Sequence, residues 1–114
     1  MRRLLFAVPF ICLAMPVAAQ PSGVSPEIDK VLVCATMFSL KAEDDKAIGD
    51  DGGHLEWSMR ADELANRGGL MLGEAGFDAT DIENTQMNYA LTAGLEAGLG
   101  APRFSFEDCQ VFVE

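Results

Sequence analysis

The sequence holds little of what site chemistry usually needs. It has one histidine, His54, one tryptophan, Trp57, one tyrosine, Tyr89, and three cysteines with no CxxC pair. With that inventory a structural zinc site lacks its usual ligand set. A general base needs a partner and a pocket, and no serine or cysteine neighbour is implied for His54. Basic residues are scarce too, 8 against 18 acidic ones. A surface of that sign repels phosphate backbones and anionic lipid heads, which argues against nucleic-acid and membrane-surface roles.

Long uncharged apolar runs are almost absent, and the exception lies at the start. Leu4 to Met15 follows Met1-Arg2-Arg3 without a charge, and Val17-Ala18-Ala19 then supplies small residues. Positive, apolar and small-residue regions in that order are an export signature. The apolar run of about 12 residues falls short of the roughly 20 that cross a bilayer as a helix. Pro9 and Pro16 interrupt it further. The expectation is a leader over 1–19 cleaved after Ala19, a flexible lead-in over 20–24 and one domain over 25–114. Cys12 sits inside the run and leaves with it. Arg2 and Arg3 leave as well, so six basic residues face 18 acidic ones and the net charge falls from −10 to −12. The expected compartment is the periplasm or the medium.

Two cysteines remain, Cys34 and Cys109. An even count in a short exported chain points to a disulfide. On the chain-entropy model, closing so long a loop stabilises a fold by roughly 4 kcal/mol, a large share of a typical total of about 5–15 kcal/mol.

The rest reads as helices. Ser25-Pro26-Glu27 starts the first: a serine cap, a proline in the first turn and an acid at the positive end. Ile28, Val31, Leu32, Ala35, Phe38 and Ala42 then recur at helical spacing, and Val33, Met37 and Leu40 form a second row on another side. A helix apolar on most sides sits centrally or meets a partner. Val33, Met37 and Leu40 are therefore the candidate partner face. Asp44-Asp45-Lys46 through Gly53 reads as a loop. A second helix is expected over about 54–75, open to a break at Gly68-Gly69. A third starts after Gly76, capped either by Thr80 with Glu83 or by Asp78 with Phe77 and Ile82 as a staple. It runs to Gly98 or Leu99, with Ile82, Tyr89, Ala90, Ala93 and Ala97 inward. Residues 103–114 fit a strand through Phe104 and Phe106 or a short helix opened by Ser105 and Asp108. The fold class is all-α: a small bundle of three to four helices with one disulfide, its C-terminal segment docked on the first helix.

Each candidate site has a simpler structural reading. Asp44, Asp45, Asp50 and Asp51 cluster around glycines, but the EF-hand spacing fails, and a solvated loop suffices. Glu56, Asp62, Glu63 and Glu83 could pair as glycosidase carboxylates, yet 18 acids make such pairs by chance, and a small bundle has little room for a sugar cleft. Phe38, Trp57 and Met71 are the candidate lining of a small apolar pocket, though inward aromatics are more often core. Gly94 and Gly98, a GxxxG pair extended upstream by Ala90, allow close helix packing. No catalytic residue, metal ligand or cofactor is assigned.

The layout resembles, in outline, small exported two-cysteine helical proteins of Gram-negative bacteria. Two such groups are acid-stress periplasmic chaperones and periplasmic immunity proteins that block cell-wall-degrading toxins. The shared features are the leader, Cys34 in the first helix and Cys109 near the C-terminus. The resemblance implies binding rather than catalysis. The leading expectation is thus a non-enzymatic exported domain that binds another protein, as inhibitor, immunity partner or client binder. The alternatives are a carrier of a small apolar ligand and an acid-triggered chaperone; monomer and dimer stay open.

Overall fold

Three helices run up, down and up, and the chain then folds back onto the first. The computed structural model describes residues 23–113. The leader over 1–19, Cys12 and most of the lead-in lie outside the described residues. Val24, assigned to that lead-in, is 7% exposed and packs in the core beside Phe77 and Ile28, so the packed body begins one residue before Ser25.

Helix α1, Pro26–Ala47, starts as the sequence suggests, with the Ser25 hydroxyl accepting from the Ile28 amide at 3.2 Å. It is the central element. Val31, Val33, Cys34 and Phe38, on different sides of the helix, are all at most 1% exposed. One apolar cluster joins its Ile28, Leu32 and Val33 to Leu72, Tyr89 and Ala93. The other joins Val31, Cys34 and Phe38 to Ala61, Leu64 and Cys109. Val33 is therefore core rather than partner face, because the third helix covers that side.

The acidic loop is shorter than its composition suggests. The i,i+4 pair Lys41–Asp45, 3.0 Å apart, lies within α1, which continues to Ala47. Only 48–50 connect, with Gly49 at φ +82°. Helix α2, Asp51–Glu74, begins three residues before the expected start, and the Asp50 carboxylate accepts from the Gly53 amide at 2.9 Å. A side chain at Gly53 would collide with the carboxylates of Asp45 and Asp50, so glycine lets the two helices meet tightly there.

Helix α2 runs unbroken through Gly68-Gly69. A Cβ on Gly68 would lie 2.6 Å from Leu32 Cδ2, and one on Gly69 would lie 3.2 Å from Gln86 Nε2. The pair thus marks where α2 approaches both neighbours, Gly68 facing α1 and Gly69 facing the third helix. Packing there outweighs a helix-propensity cost of about 1 kcal/mol per glycine.

Helix α3, Ala79–Gly98, takes the Asp78 register: that carboxylate accepts from the Asp81 amide at 2.8 Å. Phe77 and Ile82 both pack against the first cluster as the staple around the cap. Residues 101–113 contain no strand; the Ser105 amide donates to Asp108 and the Asp108 amide to the Ser105 hydroxyl, both at 3.0 Å. This reciprocal cap leads into a short 3-10 helix, Asp108–Phe112. Its Cys109 is bonded to Cys34 with the Cα atoms 5.4 Å apart. The fold class is as expected: all-α, three helices and a 3-10 turn, with the disulfide tying the C-terminal segment to the first helix. None of these helices is long and apolar enough to cross a membrane.

Three measurements check this packing. Reducing Cys34–Cys109 lowers the unfolding free energy in urea by roughly 4 kcal/mol. Gly68→Ala destabilises by about 1–3 kcal/mol because the methyl overpacks against Leu32. Gly94→Ala, where a Cβ meets nothing within 4 Å, stabilises the monomer by up to about 1 kcal/mol.

Candidate functional site

Helix α3 is apolar on two opposite sides, and among the described residues only one of them is covered. Its inward side carries Tyr89 and Ala93, 3% and 1% exposed. Its outward side carries Met87, Leu91, Leu95 and Leu99, one turn apart and 57–75% exposed. Residues four apart lie above one another on a helix, so these four form a continuous stripe. Single exposed leucines are ordinary, but a contiguous stripe marks a contact surface. Leu55 and Met59 on α2, also exposed, differ in setting. They are interleaved with Glu56, Arg60 and Glu63.

The stripe is also free of charge. From Asn84 to Gly98 the only ionisable residues are Tyr89 and Glu96, and both are engaged on the inward side. The Tyr89 hydroxyl donates to Asp29 Oδ1 at 2.7 Å, and Arg103 Nη1 donates to the same oxygen at 2.7 Å. Arg103 Nε reaches Glu96 at 3.2 Å, and its guanidinium lies 5.5 Å from the Tyr89 ring centre. Asp29 is 7% exposed. A carboxylate held that deep needs paired donors, and removing one partner of such a set typically costs about 3–5 kcal/mol. The network pins α3 to α1 and neutralises the one carboxylate that would otherwise break the outward face. Burial first, and then the bond to Asp29, push the Tyr89 hydroxyl above its ordinary value of 10.0.

The GxxxG pair does not make the expected close packing. A Cβ on Gly94 or Gly98 would meet nothing within 4 Å, and Ala90, expected inward, is exposed. Here α3 stands off from α1, leaving two open grooves that meet at Leu40 and Gly94. One, about 390 Å³, is lined by Met37, Lys41, Gly98 and Phe106; the other, about 320 Å³, by Thr36, Ala61, Ala65 and Ala90. Met37 and Leu40 from the expected partner face are half-buried and line the first groove.

The other candidates fall into structural roles. Phe38 packs against Trp57 and Phe106 with ring centres 5.2 and 5.9 Å away, and Trp57 lies 5.0 Å from Phe106. Met71 sits between the two clusters. The three expected lining residues are thus packing residues, with Phe38 and Trp57 in contact with each other and Phe106 against both. His54 Nδ1 lies 2.9 Å from the Ala42 carbonyl. A carbonyl only accepts, so Nδ1 carries the proton and the ring ties the start of α2 to α1. Glu56 pairs with Arg60 at 3.1 Å; Asp62, Glu63 and Glu83 are exposed. Among the described residues no group of three or more histidine, cysteine or acidic side chains is placed to hold a metal.

No protein-family model matches the chain, and neither a curated protein nor a solved structure does. The outward face of α3 was nonetheless available to sequence reasoning. The stretch 84–100 holds one carboxylate and no basic residue, the same signal that marked α1 as central. What the pattern does not contain is which of the two apolar helices ends up enclosed.

The Tyr89 network yields a pH dependence with a definite sign. The fold holds the neutral phenol, so this contribution is full below the unfolded value near pH 10 and is lost as pH rises towards the raised folded value. Urea midpoints should fall between pH 9 and pH 11, with phenolate absorbance appearing as the fold is lost. Tyr89→Phe should flatten that slope and cost about 1–2 kcal/mol at pH 7, because Asp29 Oδ1 loses one of its two donors and keeps Arg103.

Proposed function

We propose that this chain is an exported, non-enzymatic domain that binds protein through the outward face of α3. The carrying observation is the charge-free stripe of Met87, Leu91, Leu95 and Leu99 on a helix whose other side is already anchored. A rigid helix presenting leucines at one-turn spacing suits recognition of another helix or an apolar groove. The buried Cys34–Cys109 disulfide supports an oxidising compartment, periplasm or medium, in keeping with the leader-like start. The low count of basic residues disfavours nucleic acid and anionic membranes as partners.

The open groove beside Met37 and Leu40 favours one second reading, a carrier of a small apolar molecule. Native mass spectrometry of protein purified without denaturant distinguishes it: a reproducible added mass supports the carrier, and bare protein throughout removes it.

The protein-binding reading is tested by affinity capture. The oxidised protein is immobilised and exposed to periplasmic and culture-supernatant extracts, beside a Leu91→Asp/Leu95→Asp variant. A partner retained stoichiometrically by the parent and reduced at least tenfold on the variant is the expected result. Equal retention on both surfaces would move the site away from α3.

A further inference from the structure

The outward face of α3 matches itself, and this bears on what covers it. We propose that a second copy of this chain docks there, as a two-fold antiparallel pair of α3 helices. The proposal rests on the protein-binding reading and names the partner.

The first argument is charge. The chain carries a net charge of −10, so two copies repel over most of their surface. The stripe is the exception: the lone carboxylate of the stretch, Glu96, is turned inward onto Arg103. A basic partner would find no counter-charge along these leucines, whereas an identical neutral stripe meets no penalty there.

The second argument is shape. Exposed knobs and open holes lie side by side on the same helix. Leu91 and Leu95 project, while Gly94, which lines both grooves, leaves space beside them. Reversing the helix about position 93 exchanges Met87 with Leu99 and Leu91 with Leu95. An antiparallel two-fold pair therefore sets each leucine of one copy against an apolar residue of the other, as a closed isologous contact requires.

Area sets the strength. Half the lateral surface of a 20-residue helix is on the order of 500 Å², below the roughly 800 Å² per partner of a standard interface. The dimer is thus a reversible one, with a dissociation constant in the micromolar range or weaker. Screening of the acidic surfaces strengthens it as salt rises.

Sedimentation velocity tests this on protein expressed from the full sequence and recovered in the form the host processes, from 5 µM to 1 mM. Leu91→Glu/Leu95→Glu is run beside Leu55→Glu/Met59→Glu, which adds the same charge at another exposed apolar pair. The expected result is a concentration-dependent dimer, tighter at 0.5 M than at 0.05 M salt. It weakens at least tenfold in the α3 variant and no more than threefold in the α2 variant. A monomer throughout overturns the second copy, as does a dimer indifferent to the α3 variant or equally sensitive to both. The capture experiment separates this failure from that of the broader reading. A monomer that still retains a different protein through Leu91 and Leu95 keeps protein binding and replaces the partner. A monomer that retains none removes both.

Discussion

Everything in this structure is arranged around the need to enclose α1. That helix has apolar residues on most of its circumference, and water is a poor solvent for all of them. A single neighbour covers one side only, so α2, α3 and the C-terminal segment each take a share. Glycine sets how closely the first can come: Gly53 and Gly68 remove the side chains that would hold α2 away. The disulfide fixes the last share, holding Cys109 against the middle of α1 so that Phe104, Phe106 and Phe112 can pack.

Polar groups follow the same constraint. Asp29 and Asp45, both on α1, are drawn into the packed region with it, and each is matched by a charged donor. Lys41 serves Asp45 within the helix; Tyr89 and Arg103 reach Asp29 from α3 and the segment after it. The second arrangement couples fold to surface. The contact that satisfies a buried carboxylate also sets the rotation of α3, and that rotation turns Leu91 and Leu95 outward. The candidate interaction face is in this sense a consequence of how α3 is anchored.

Structure is legible in the sequence where a few neighbouring residues decide the outcome. The Ser25 cap, the end at Gly76 and the central place of α1 all follow from side-chain chemistry within one or two turns, while the choice between the Thr80 and Asp78 caps is made by the structure. Structure is not legible there where a distant partner decides. The aspartates before Gly49 look like loop residues until Asp45 is paired and buried, and Gly68-Gly69 looks like a break until Leu32 and Gln86 press against it. Gly94 and Gly98 are the converse, a packing motif facing open space because α3 stands off from α1 at that level. The candidate site depends most on distant packing: Val33, on the expected partner face, is core, and the exposed apolar stripe is instead Leu91, Leu95 and Leu99 on α3.

The sequence by itself determined the helical class, the three main helices in outline and the identity of the disulfide partners, because capping, periodicity and cysteine count are local or combinatorial properties. Only the tertiary structure decided which apolar helix would be covered. Two helices carry more apolar surface than one neighbour can bury, and the described residues surround just one of them. The disulfide brings the C-terminal segment to α1, leaving α3 at the periphery with its second apolar side in water.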